Sequence, residues 1–149
     1  MTLPKTHTIL PGRLWIRGRM NHLPLETKRR LVAELGLRHV VALCPRQDPD
    51  WWDLDDAGLV AYQHHPFPDG DRIPGWITEL AYELATAIRH GDGVLIHCNQ
   101  GRNRSGLLAA LVACNVEGWP GQQALDHVRA RRPGSLANPA FVTYLARIA

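Results

Sequence analysis

Cysteine is scarce in this chain: Cys44, Cys98 and Cys114 are the three that occur in 149 residues, and they lie far apart. An odd, scattered set excludes a disulfide framework and fits a reducing compartment, so a cytoplasmic location is expected. No apolar run approaches the ~20 residues needed to span a bilayer, so no membrane span is expected. Met1 to Leu10 lacks the charged-then-apolar layout of a secretory leader. Repeats, low-complexity segments and obvious linkers are also absent, and 149 residues suit one domain over positions 1–149 with a real core. Lys is sparse beside Arg, and no basic run is dense enough to argue nucleic-acid binding. The net charge of +3 has two readings, a solvated surface or a field that draws in anionic substrates. Arg129, Arg131 and Arg132 cluster at a helix end, where positive charge suits the dipole.

What is present reads as strands alternating with helices. Leu14-Trp15-Ile16 after Pro11-Gly12 predicts a first strand, and Leu25 to Leu35 predicts a helix closed by Gly36. Val40 to Cys44 reads as a buried strand stopped by Pro45. Arg46 to Asp56 is polar, a loop or short helix carrying Trp51 and Trp52. These two either mark a recognition surface or pack under that loop. Leu59 to His64 is a further strand, and His64-His65 reads as strand-end polarity. Pro74 opens an amphipathic helix with Ile77, Leu80, Ala81, Leu84, Ala85 and Ile88 on one stripe, ending at Gly91. Gly93 to His97 is a short buried strand. Three helices follow: Ser105 to Val116, one from near Pro120 to before Pro133, and one capped by Asn138 with Pro139 at its first position. Cys114, mid-helix, reads as core. Short apolar strands between helices imply an α/β fold, a mainly parallel sheet of about four to five strands covered on both sides.

The most informative segment is His97-Cys98-Asn99-Gln100-Gly101-Arg102-Asn103-Arg104-Ser105. A Cys six residues before an Arg arises by chance roughly one time in three here; His before it, Gly within and Ser after lower coincidence to on the order of one in ten thousand. Strand, loop of phosphate size and helix N-terminus is the arrangement that anion binding requires. A free thiol is mostly protonated at neutral pH. Loop N–H groups from Asn99 to Arg104, the helix dipole and the fixed charge of Arg104 all favour the thiolate. Ser105 can donate a hydrogen bond to the sulfur, and His97 can brace the loop by hydrogen bonding. Arg104 also matches two phosphoryl oxygens bidentately, which Lys cannot. Gly101 suits a backbone conformation that a Cβ opposes. Arg102 either faces outward to select anions or is solvated.

The competing readings of Cys98 are weaker. It is not a lone buried hydrophobe, given its neighbours. No His lies at ligand spacing from a Cys beyond the adjacent His97, so no metal site is expected. The Gly-Lys-Ser/Thr ending of a nucleotide-binding loop is missing. Transfer of a phosphoryl group to sulfur expels an alkoxide or phenoxide, which needs a proton. Asp69 and Asp71, on the Pro- and Gly-rich loop Pro66-Phe67-Pro68-Asp69-Gly70-Asp71, are the candidates for that acid; the alternative for each is a turn-forming Asp.

The Cys98 loop resembles the signature of the cysteine-based protein tyrosine phosphatase superfamily. Pro66 to Gly70 resembles its general-acid loop, with Asp69 in the acid position. The stretch from Pro11 to the end is similar to the dual-specificity branch, particularly its small kinase-associated phosphatase-like members; Arg132-Pro133, Asn138 and Phe141 match the C-terminal helices there. The resemblance implies a phosphatase without metal or organic cofactor. Cys98 forms a cysteinyl-phosphate, Asp69 protonates the leaving oxygen and later activates water, Arg104 and the loop amides hold the phosphoryl group, and Ser105 assists the second step. Implied substrates are phosphotyrosine, and possible phosphoserine or phosphothreonine, in proteins. Asn99-Gln100 and Arg102-Asn103 depart from the common pattern, and Asn103 is reminiscent of RNA 5′-triphosphatase members. RNA 5′-triphosphate or a phosphoinositide is therefore the alternative substrate, with nucleic acid a partner only in that role. A phosphate-binding module without catalysis, or a rhodanese-like sulfurtransferase, is the alternative class. Some relatives carry a cysteine at the place of Cys44 that pairs with the nucleophile, so Cys44 has two readings: a disulfide with Cys98 that guards the nucleophile, as the resemblance implies, or a buried strand cysteine.

Overall fold

The computed structural model describes residues 3–149. Met1 and Thr2, the first two residues of the segment where no leader is expected, lie outside the described residues. Five strands form one sheet: β1 (His7–Leu10), β2 (Leu14–Arg17), β3 (Leu37–Ala42), β4 (Ala61–His64) and β5 (Gly93–His97), in spatial order β1-β2-β5-β3-β4. β2, β5, β3 and β4 run parallel, and β1 pairs antiparallel with β2. β5 therefore sits in the middle of the sheet, and the Cys98 loop leaves its C-terminal end. Ligands of open α/β sheets gather at that end of the strands.

The pleat divides the core. Ile16, Val41, Val94 and Ile96 join one apolar cluster, and Trp15, Val40 and Leu95 join another. The first is covered by α2 (Ile77–Arg89), α3 (Arg104–Glu117), α4 (Gly121–Arg131) and α5 (Pro139–Ala146); the second by α1 (Leu25–Leu35) and two 3-10 turns, Pro49–Asp53 and Asp55–Ala57. The amphipathic stripe of α2 is buried as its spacing predicts. α3 has no polar face over its first ten residues, because α2, α4, α5 and the sheet surround it. Among the described residues no helix is long and apolar enough to cross a membrane.

Several boundaries differ from the sequence reading. β1 is an additional strand, joined to β2 through a turn with Gly12 at φ 72°. β3 starts at Leu37 and leaves the sheet after Ala42. Leu43 keeps one bond, its N–H to the His97 carbonyl at 2.8 Å, and Cys44 lies beyond the strand. β4 starts at Ala61, because Leu59 N–H turns back to Leu54 O. α2 starts at Ile77, after a turn in which Ile77 N–H bonds Pro74 O.

The two tryptophans divide. Trp51 is buried against Tyr62, whereas Trp52 is 58% exposed. Beside Trp51 lies Lys28, fully buried in α1. Its Nζ is 2.6 Å from Asp48 Oδ2 and donates to Asp50 Oδ2 at 2.7 Å, tying α1 to the 3-10 turn. Removing one partner of a buried pair leaves an uncompensated charge, which costs far more than the pair contributes. Lys28→Met is expected to destabilise the fold by about 3–5 kcal/mol, and Lys28→Met with Asp48→Asn to recover part of that loss. Urea unfolding of the three proteins checks this; no recovery in the double variant refutes the charge argument.

Candidate active site

The Cys98 loop spans the gap between β5 and α3 and wraps its own sulfur. Cys98 Sγ accepts the Gly101 N–H at 3.2 Å and lies 3.3 Å from Ser105 Oγ; the residue is 2% exposed. The loop's carbonyls are fastened outward. Asn99 O accepts from Arg19 N–H at 3.0 Å, Gln100 O from Arg132 Nη2 at 3.2 Å and Gly101 O from Arg132 Nε at 3.4 Å. Arg102 O accepts from Leu136 N–H at 3.4 Å and Asn103 O from Leu107 N–H at 2.8 Å. In a trans peptide the carbonyl and the next N–H point in opposite directions. Outward carbonyls from Asn99 to Asn103 thus turn the N–H groups from Gln100 to Arg104 toward the sulfur side. That arrangement makes an anion nest at the first turn of α3.

Gly101 carries the tightest steric demand. Its φ is +68°, and a Cβ there would lie 2.5 Å from the Arg17 carbonyl carbon and 2.6 Å from Gly18 N. Gly18 is close-packed in return: its Cβ would lie 3.2 Å from Asn99 O. The end of β2 is therefore a wall behind the phosphate-sized loop.

Asp69, Cys98, Asn99, Gln100, Arg102, Asn103 and Arg104 line one cavity of about 160 Å³. Arg104 is nearly buried; its Nη1 donates to Phe67 O at 3.1 Å, and its Nε has no hydrogen-bond partner among the described residues. Asp69 and not Asp71 lines this cavity, so one of the two candidate acids shares it with Cys98. Asp69 Oδ2 accepts from Asn103 Nδ2 at 2.8 Å and Oδ1 from Asn138 Nδ2 at 2.7 Å.

Two expectations need correction. His97 is fully buried, and neither ring nitrogen has a hydrogen-bond partner among the described residues; its backbone carbonyl accepts from Leu43 N–H. It supports the loop by filling space. Burial, reinforced by Arg17, Lys28 and His64, holds its pKa down at about 3, so the ring is neutral. Arg132 is more than a charge at a helix end, since it braces two loop carbonyls. That role, and those of Arg19, Leu136 and Gly18, have no sequence signal of their own, because they depend on where distant segments land.

Cys44 is buried and unpaired, with its Sγ 3.7 Å from Arg46 O. Burial, aided by the nearby Cys98, pushes its thiol up; its own backbone opposes this. His64 Nε2 lies 2.7 Å from the Cys44 carbonyl. Cys114 is half-buried on α3, and burial pushes its thiol up.

Comparison with known proteins gives the same picture. The family described as dual specificity phosphatase, catalytic domain, matches residues 26–148. Cyclin-dependent kinase inhibitor 3 of Mus musculus is 32% identical over 118 residues, which is 74% of this chain and 56% of that protein. The dual specificity protein phosphatase TpbA of Pseudomonas aeruginosa is 31% identical over 108 residues, 72% of this chain and 47% of that protein. The chain thus spans about half the length of these curated relatives. Among solved structures, Tk-PTP in the active form superposes with a TM-score of 0.75 at 25% identity, over 99% of this chain and 100% of that one. P. aeruginosa TpbA in complex with pTyr superposes with a TM-score of 0.66 at 26% identity, over 91% of this chain and 79% of that one. The family match over residues 26–148, joined to a Cys98 loop built around its own sulfur, places this chain in the dual-specificity branch of the cysteine-based protein tyrosine phosphatases.

Proposed function

We propose that residues 1–149 act as one catalytic domain that hydrolyses phosphate monoesters in proteins through a cysteinyl-phosphate. The observation that carries this reading is the shared cavity: Cys98 at its floor, Arg104 beside it, Asp69 at its rim. Cys98 Sγ attacks phosphorus as the P–O ester bond breaks, and Asp69 gives its proton to the leaving oxygen. Asp69 then takes a proton from the water that attacks phosphorus, and the S–P bond breaks. The Ser105 hydroxyl, 3.3 Å away, steadies the departing thiolate. Loop amides and the Arg104 guanidinium follow the charge on the phosphoryl oxygens, the larger electrostatic contribution. The pTyr ligand of the TpbA structure supports phosphotyrosine as a substrate, and the dual specificity description of the matching family extends the reading to phosphoserine and phosphothreonine.

Asn103, the residue that brought RNA 5′-triphosphate into consideration, has both ends of its side chain engaged. It donates to Asp69 and accepts from Ala137 and Asn138 N–H. Its presence is thus accounted for without a nucleotide substrate.

Two measurements test the reading. Hydrolysis of p-nitrophenyl phosphate, with reductant and EDTA, is expected to vanish in Cys98→Ser and to fall about 10²–10⁴-fold in Asp69→Asn. Turnover by Cys98→Ser equal to wild type sinks the proposal. Gly101→Ala, forced into a left-handed conformation against the Arg17–Gly18 backbone, is expected to cost about 1–3 kcal/mol of stability. The displaced loop is expected to lose roughly a hundredfold in kcat/KM. An unchanged rate in Gly101→Ala shows that the loop geometry does not set the activity.

A further inference from the structure

Asp69 sits on an exposed loop, yet its carboxylate is held from two sides. Asn103 Nδ2 donates to one oxygen at 2.8 Å and Asn138 Nδ2 to the other at 2.7 Å. The amide orientations are fixed by the rest of the network. Asn103 Oδ1 accepts from the N–H groups of Ala137 and Asn138 at 2.8 and 3.1 Å, which only an oxygen can do. Asn138 Oδ1 accepts from Ala140 N–H at 2.9 Å as the cap of α5, so its Nδ2 must face Asp69. The same Nδ2 also donates to Gly70 O at 2.8 Å. These contacts close a ring from the phosphate loop through the cap of α5 to the acid loop.

Among the described residues the acid loop has one other polar tie, Phe67 O to Arg104; the Phe67 ring packs against Trp76 and Phe141, and Ile73 packs against the core beyond the loop. The polar tie lies before Asp69, and the apolar packing flanks it at Phe67 and Ile73. Between those anchors, the hydrogen bonds at Asp69 and Gly70 come from the two asparagines.

We infer that Asn103 and Asn138 are positioning residues that clamp Asp69 over the Cys98 cavity, so that proton delivery to the leaving group depends on a side chain outside both loops. The inference rests on Asp69 as the general acid. Asn138 is the informative member, because one substitution separates its two jobs. Asn138→Asp keeps an oxygen to cap α5, and Asp caps as well as Asn. It replaces both Nδ2 hydrogen bonds with a carboxylate facing the Asp69 carboxylate and the Gly70 carbonyl. Asn138→Ser keeps a capping hydroxyl and is too short to reach Asp69.

The readout is leaving-group dependence. An ester with a good leaving group, p-nitrophenyl phosphate, needs little protonation; phenyl phosphate needs more. A residue that only supports the fold lowers both rates alike. Asn138→Asp is expected to lose roughly tenfold to a hundredfold more kcat/KM on phenyl phosphate than on p-nitrophenyl phosphate. Asn138→Ser should shift the same way, less steeply, and serves if the Asp variant does not fold. In an Asp69→Asn background, Asn138→Asp should add no leaving-group-dependent loss. Equal losses on the two esters in the Asn138 variants, with a dependent loss in Asp69→Asn, overturn the clamp and leave the acid in place. Equal losses in Asp69→Asn itself overturn the acid assignment and the clamp together.

Discussion

The outward fastening of five successive carbonyls is the constraint on which this site depends. A backbone loop does not spontaneously present several N–H groups to one point, because each such group would otherwise seek an acceptor. Here the partners of the carbonyls come from four separate places: Arg19 after β2, Leu107 in α3, Arg132 at the end of α4 and Leu136 beyond it. Each is weak alone, at about 1 kcal/mol. Together they decide the direction of every peptide in the loop. The positive potential around Cys98 is thus a product of tertiary structure, drawn from both halves of the chain.

That dependence explains the placement of the secondary structure. β5 is central and fully buried, so the loop's entry is rigid. α3 is enclosed by three helices and the sheet, so its first turn cannot shift to relax the loop. β2 ends against Gly101 with no room for a methyl group. A dipole and a set of amides stabilise charge only if they do not reorganise as the charge moves, and these neighbours prevent that reorganisation.

The elements set by local chemistry were legible in the sequence. α1 spans the residues that its spacing and Gly36 predict, and β5 spans Gly93 to His97 as read. α5 has the Asn138 cap and Pro139 start expected of it. β1 was not legible: four residues beginning His7-Thr8 carry no alternation, and the strand exists because β2 offers it an edge. The bounds of β3 and β4 were blurred for a related reason, since apolar residues extend beyond each strand, Leu43 and Cys44 after β3 and Leu59 and Val60 before β4. At the site, Cys98, Arg104 and the loop of Asp69 were legible because the chemistry expected of them demands particular residue types. The fasteners were not. Arg132 bonds the loop through generic guanidinium donors, and the Asn138 signal was spent on the helix cap, which hid its second partner.

The buried polar groups of the site also set a limit on the stability of the fold. Among the described residues His97 has two ring nitrogens without hydrogen-bond partners, and the buried Nε of Arg104 has none either. Each such group costs about 1–3 kcal/mol that an apolar residue would not. Holding His97 neutral adds a pH dependence: its pKa of about 3 lies below the ordinary 6.5, so the unfolded chain binds its proton first on acidification. Stability contributed by the neutral ring is complete above about pH 6.5 and declines as pH falls from there toward 3. The apolar clusters on the two faces of the sheet must offset these costs, and both reach the end of β5 that leads into the loop, through Ile96 on one face and Leu95 on the other. Fully buried apolar residues thus lead directly into the residues least favourable to bury, which is where a rigid, electrostatically tuned loop requires them.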